Sequence, residues 1–240
     1  MSDGVTDALW PAPAPARRRG RPPKLSVDHV VAAGIAVADA DGVAAVTMQR
    51  VADELGAAKM ALYRHVRGKT ELIALMLDSA LGEAPETDGE NWREHIGLWA
   101  RTLHERMSRH PWTTELVVTR TVPGPQEMGW FEAGLAALAT TPLTGAERLD
   151  TLALLSNQVT ASVRQAGVSA NPEASMATAM APILETYAAR FPHTVAAFSE
   201  TGEPGGQDNA LGFGIERILD GVASLISWRR RTPAADEDRK

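Results

Sequence analysis

Apolar positions along the chain recur at intervals of three and four residues, the spacing of a helix with one buried face, and alternating β-branched runs are scarce. The first stripe, Val27, Val30, Val31, Gly34, Val37 and Ala38, begins behind Ser26, a good N-cap, and ends at Asp41-Gly42. Asp28 in its first turn complements the helix dipole. Thr47 caps a short second helix in which Val51, Ala52 and Leu55 face inward and which Gly56 stops. Next, KMALYRHV sets Leu62 and Val66 four apart on one face. Gly68 breaks that segment, and KTELIALMLDSALGE predicts a fourth helix with Leu72, Leu75, Met76 and Ser79 on one side. Short helix, glycine turn, short helix is the arrangement of a helix-turn-helix reader.

Beyond the Pro85–Gly89 break the helices lengthen. Trp92, Ile96, Trp99, Leu103 and Met107 form one stripe, ended by His110-Pro111; Met128, Phe131, Leu135 and Leu138 form another across 126–139. The run from Thr144 to Glu147 reads as a capping box opening a helix through Val163, and Asn171-Pro172 as an N-cap with proline in the first helical position. Pro182 and Pro192 are expected to interrupt the segment that this cap opens, and 202–207 to form a loop. Leu211, Ile215, Ile218, Leu219, Val222 and Ile226 define a last helix running to Trp228. The stripes of Leu149–Val163 and Leu211–Ile226 suit either an internal core or a dimer face. The chain has no internal repeat. The fold class this predicts is all-α, a three-helix DNA-binding head on a larger helical body.

Charge changes the picture. The 240 residues carry a net charge of -6, unevenly placed. Residues 17–82 hold ten Lys or Arg against seven Asp or Glu, a balance of +3; from Glu83 onward fourteen stand against twenty-one, a balance of -7, and Asp3 and Asp7 supply the remaining -2. A basic head on an acidic body allows only the head to approach a polyanion. Residues 1–16 are a Pro/Ala tract without periodicity, expected to be disordered. In RRRGRPPK, Arg17, Arg18, Arg19, Arg21 and Lys24 form an extended basic arm suited to a minor groove. The expected division is an arm at 1–24, a DNA-binding domain at 25–70, a larger helical domain at 71–231 and a charged tail at 232–240.

Without cysteine, disulfide scaffolds, thiol nucleophiles and cysteine-ligated metals are excluded. No apolar run has membrane-spanning length and no signal-like start is present, so a cytoplasmic protein with no membrane partner is expected. The sequence holds no HExxH, Gly-x-Ser-x-Gly, P-loop or dinucleotide fingerprint, so no catalytic residue, metal or cofactor is expected, and no enzyme.

A helix entering the major groove needs an apolar inner face and polar or small outward side chains. Leu62 and Val66 supply the first; Lys59, Met60, Tyr63 and Arg64 supply the second, with Tyr63, His65 and Lys69 able to bond phosphates. VTMQRVADELGAAKMALYRHVRGKTELIALML, above all Leu62-Tyr63-Arg64-His65-Val66 followed by Gly68-Lys69, resembles the TetR family of transcriptional regulators over residues 25–82, and GFGIERILDGVASLI is similar to the family's ligand-binding domain. The resemblance implies that Thr47 bonds phosphate and that Gln49 stands where Tet repressors carry a base-reading arginine. It places Lys59 and Met60 in the leading base-contacting positions, and Tyr63, His65 and Lys69 on phosphates. Gln49 in place of arginine favours adenine, and Lys59 in place of glutamine favours guanine, so the operator should differ from that of the Tet repressors. It further implies that residues 71–231 form a ligand-binding and dimerisation domain, and that the protein is a homodimer on a palindromic operator, released by a small-molecule effector.

Trp99, with Trp112 and Trp130, suggests the wall of an apolar pocket, and His104 beside it a residue that orients the ligand, although such a stripe also suits plain core. A mainly apolar effector is expected. An activator, a ligand-binding helical protein without DNA binding, and an enzyme with an unrecognised site are the alternatives.

Overall fold

The computed structural model describes residues 3–12, 25–86, 91–117, 122–168, 172–200 and 209–232, and among these all regular structure is helical. The basic arm, the N-cap at Asn171, the loop at 202–207 and nearly all of the charged tail lie outside the described residues. The opening tract corrects one expectation: it contains α1 (Asp3–Leu9). Seven residues are too few to hold a helix alone, so docking must do it. Leu9 is buried, α1 packs along α5 (Lys69–Leu81), Asp7 lies 3.7 Å from Arg67, and the Trp10 indole N–H donates to the Pro123 carbonyl at 3.1 Å. About two turns give no readable period, which is why the sequence pattern missed it.

The head follows the sequence closely. Ser26 Oγ accepts the His29 N–H at 3.2 Å to start α2 (Val27–Asp41), and Thr47 Oγ1 accepts the Arg50 N–H at 3.1 Å to start α3 (Met48–Glu54). Gly56, with φ +58°, turns the chain out of α3 in the left-handed region that glycine adopts without strain. The third segment is shorter than expected: α4 (Lys59–Leu62) gives way to a turn over 63–65. Ala58 offers no side-chain cap, and the His65 N–H tightens onto the Leu62 carbonyl at 2.8 Å. The Val66 N–H still reaches that carbonyl at 3.0 Å, so the turn continues the direction of α4.

The body comprises α6 (Trp92–Arg109), α7 (Thr113–Leu116), α8 (Pro125–Leu138), α9 (Gly145–Val168), α10 (Pro172–Tyr187), α11 (Pro192–Glu200) and α12 (Ala210–Arg231). The expected capping box is present: Thr144 Oγ1 accepts the Glu147 N–H at 3.3 Å while Glu147 accepts the Thr144 N–H at 2.8 Å. Pro192 opens α11 as expected, but Pro182 lies inside α10 and does not interrupt it.

Two apolar clusters result. Val30, Val37, Val51, Leu62, Leu72 and Met76 fill the head; Ile96, Trp99, Leu138, Leu152, Ile215 and Leu219 centre the body. α5 serves both, with Leu72 and Met76 in the first and Leu77 and Leu81 in the second. Burial on two sides makes its apolar stripe wider than the single face expected, and Ser79 is left exposed. The inner face of α8 also differs. Trp130, Gly134, Ala137 and Leu138 are buried, whereas Met128 and Phe131 are largely exposed, because Gly134 lets α8 close on Leu152 and Trp99.

Candidate DNA interface and effector cavity

The reader is built from the inside outward. Leu62 and Val66 are buried against the head core, which fixes the rotation of α4 and the turn after it. Lys59, Met60, Tyr63 and Arg64 are consequently exposed, Met60 by 73%. A buried carboxylate missing from the sequence expectations holds the end of this element: Glu71 accepts the Arg67 N–H at 3.2 Å while only 7% exposed. Its signal was legible, since a glutamate in the first turn of a helix entered through Gly68 can reach back to the preceding backbone.

Around the reader, Thr47 is exposed at the N-terminus of α3, and its neighbour Gln49 donates from its amide to Asp53 at 2.8 Å. Arg50 is held between Glu54 at 3.0 Å and Asp41 at 3.4 Å, hydrogen bonds that raise its pKa. Lys69 lies at the start of α5 with its Nζ 3.5 Å from the Ala44 carbonyl, and His65 is half-buried beside it in sequence. The structure therefore brings Thr47, Gln49, Lys59, Met60, Tyr63, Arg64, His65 and Lys69 onto the α3–α5 head, whereas Arg17, Arg18, Arg19, Arg21 and Lys24 lie outside the described residues.

In the body, a cavity of about 100 Å³ lies between α5, α6, α8 and α9. Trp99 and Trp130 form its aromatic corner, ring centroids 5.7 Å apart in an edge-to-face arrangement. Both indole N–H groups are engaged, Trp99 with the Trp130 carbonyl and Trp130 with the Gly82 carbonyl, each at 2.9 Å. The rings thus offer faces rather than donors. Polar groups come from Glu127, Ser156 and Thr160, which the sequence expectations lacked; nothing in a one-dimensional pattern marks them, because their common wall arises only where α8 meets α9.

Two expected wall residues are elsewhere. Trp112 is buried in the head cluster, its indole N–H on Asp39 Oδ1 at 2.7 Å, and His110 Nδ1 meets the same carboxylate at 2.8 Å. The turn after α6 carries Trp112 away from the α6 stripe, making it part of a head–body joint. His104 does not line the cavity; its Nε2 is 3.4 Å from Ser108 Oγ and 3.5 Å from Ser162 Oγ, and burial lowers its pKa. A larger recess of about 500 Å³ opens between α1, α5 and Leu116, apolar except for Lys69 and Thr70.

A short helix, a glycine turn and a second short helix on an all-α body define a helix-turn-helix regulator. Residues 30–76 match the bacterial regulatory proteins of the tetR family, and residues 84–226 match the tetracyclin repressor-like C-terminal domain. The chain belongs to the TetR family of transcriptional regulators. It is 34% identical over 222 residues to the HTH-type transcriptional repressor DrrR1 of Streptomyces coeruleorubidus, covering 88% of this chain and 82% of that one. A second relative, an HTH-type transcriptional regulator of Saccharopolyspora erythraea, is 33% identical over 84% of this chain and 86% of its own length. Among solved structures, apo ActR from Streptomyces coelicolor superposes with a TM-score of 0.73 at 26% identity, covering 87% and 99% of the two chains. The ActR complex with actinorhodin does so with 0.70 at 27%, covering 84% and 96%. No helix among the described residues is long and apolar enough to cross a membrane.

Proposed function

We propose that the protein is a cytoplasmic repressor that binds a palindromic operator as a homodimer and is released by a mainly apolar small molecule. The observation that carries DNA reading is the outward set Lys59, Met60, Tyr63 and Arg64 on an element whose inner face, Leu62 and Val66, is locked into the head. Lys59 donates to base edges in the major groove; Thr47, Tyr63, His65 and Lys69 take phosphates and fix register. Dimerisation is supported by a second stripe on α12. Ile215, Leu219, Val222 and Ile226 are buried in the core, while Leu211, Ile218 and Leu225, which the core covers only in part, and the exposed Trp228 are spaced for another apolar seam beside Gly214 and Gly221.

The aromatic corner of Trp99 and Trp130, with Phe131 at its rim and Glu127, Ser156 and Thr160 as polar points, suits an aromatic ligand bearing a few polar groups. The ActR complex with actinorhodin supports ligand control in this body fold. At about 100 Å³ the cavity is below the usual ligand-binding range of roughly 300 Å³ upward, so binding must push its walls apart, and that displacement is what can reach the head.

Selection of bound DNA from a random pool tests the reading. An inverted repeat with half-sites about one helical turn or slightly more apart is expected; a selected site without inverted symmetry overturns it.

A further inference from the structure

Among the hydrogen bonds that join head and body in the described residues, two sets differ in their relation to the cavity. In the first, Asp39 on α2 accepts from Trp112 and meets His110 on the turn after α6; neither lines the Trp99–Trp130 cavity. In the second, α5 is bonded to α8, which supplies a wall of that cavity. Asp78, on α5, accepts the backbone N–H groups of Gln126 at 3.0 Å and Glu127 at 3.3 Å through one oxygen. It thereby caps α8 from outside, since Gly124 at the N-cap position has no side chain to do so. One turn on, the Trp130 indole N–H bonds the Gly82 carbonyl where α5 ends, with Gly82 at φ +58°.

The approach at Asp78 is close. A Cβ built at Gly124 would overlap the Asp78 carboxyl, so glycine is required there by the joint itself. Glu127, Trp130 and Phe131, all within the first two turns of α8, line the cavity. A ligand that pushes α8 outward must therefore move the C-terminal half of α5 or break these bonds. The N-terminal half of α5 is head: Leu72 and Met76 are fully buried in its core, and the helix begins at Lys69. Lys69 and Asp78 are nine residues apart, about 14 Å along a rigid helix, so a displacement at Asp78 acts on a lever whose other end carries the reader.

We propose that Asp78 is the positioning residue that transmits occupancy of the Trp99–Trp130 cavity to the DNA-binding head, by capping α8 from α5 while the Asp39 joint serves as fulcrum. The proposal rests on the reading of that cavity as the effector site. It separates Asp78 from a helix cap that only adds stability, because a plain cap would not alter how strongly the cavity and the operator influence each other.

The test needs no identified ligand. Ser156→Met on the full-length protein fills the cavity from α9 and stands in for an occupant, and affinity is measured for the operator recovered by selection from the random pool. The expected result is a loss of about fivefold on plugging the native protein and less than about twofold on plugging Asp78→Ala, a non-additivity that a stability role alone would not give. Asp78→Asn, which keeps an acceptor oxygen for the two N–H groups, should retain the native response. Gly124→Ala should reproduce Asp78→Ala and takes its place should that variant not fold. Equal losses in both backgrounds overturn the role of Asp78 and leave the cavity reading standing. A plug that is silent in the native protein overturns both.

Discussion

Gly134 stands where two helices of the body core meet too closely to admit a methyl group. On α8 it faces α9 and α6, and a Cβ built there would lie 2.6 Å from Leu152 Cδ2, 3.0 Å from its Cδ1 and 3.3 Å from Trp99 Nε1. Leu152 is 1% exposed, and Trp99 is anchored by its bond to the Trp130 carbonyl. Alanine gains about 1 kcal/mol of intrinsic helix preference over glycine, whereas forcing a methyl group into a filled core costs about 1–3 kcal/mol. Gly134→Ala should therefore lose about 1 kcal/mol net, and more if the Trp99 bond breaks. Gly129 on the same helix supplies the control, because a Cβ there meets nothing within 4 Å. Gly129→Ala should gain up to about 1 kcal/mol, leaving the two variants about 2 kcal/mol apart. Urea denaturation followed by tryptophan fluorescence, at one protein concentration, measures both; the midpoints should separate while the slope stays constant. A Gly134→Ala protein as stable as Gly129→Ala would refute the argument that this close approach sets the face of α8.

Lys59→Ala should cost roughly 1–3 kcal/mol of operator binding and relax preference at particular bases, whereas Lys69→Ala should weaken all sequences alike and flatten the salt dependence; binding titrations across salt and mutated operators distinguish them. Replacing Arg17, Arg18, Arg19, Arg21 and Lys24 by alanine should reduce operator affinity through loss of the basic arm while leaving thermal stability unchanged, and deleting residues 1–24 should also lower the melting temperature, because the docked α1 goes with it. Burial pushes the Asp78 carboxyl up to about 6, against the Gln126 hydrogen bond that lowers it. The folded protein then holds this proton more tightly than the unfolded chain, so the stabilisation is complete below about pH 4 and is lost as pH rises through about 6. Half-exposure screens the effect to about 1 kcal/mol. Subtracting the stability curve of Asp78→Asn from the native one across pH 4–7 should isolate it, and parallel curves would contradict it.

Much of the head was legible because its determinants are local. Ser26 and Thr47 cap the next turn, Gly56 ends a helix, and Leu62 and Val66 orient the reader through a four-residue spacing, all within a few positions of what they control. The α6 stripe and the capping box at Thr144 and Glu147 were readable for the same reason. The tertiary structure alone decided what depends on elements far apart in sequence. Leu9 and Trp10 make a helix of seven residues persist by docking on α5 and Pro123, and no short-range pattern encodes that support. Trp99 and Trp112 share one neighbourhood in sequence but belong to different cores, because the turn at His110-Pro111 sends the chain back to Asp39. Glu127, Ser156 and Thr160 become one cavity wall only where α8 and α9 converge, at a distance set by the missing side chain of Gly134. Periodicity tells which positions of a helix are buried together; which partner buries them is fixed by packing among helices that the sequence keeps dozens of residues apart.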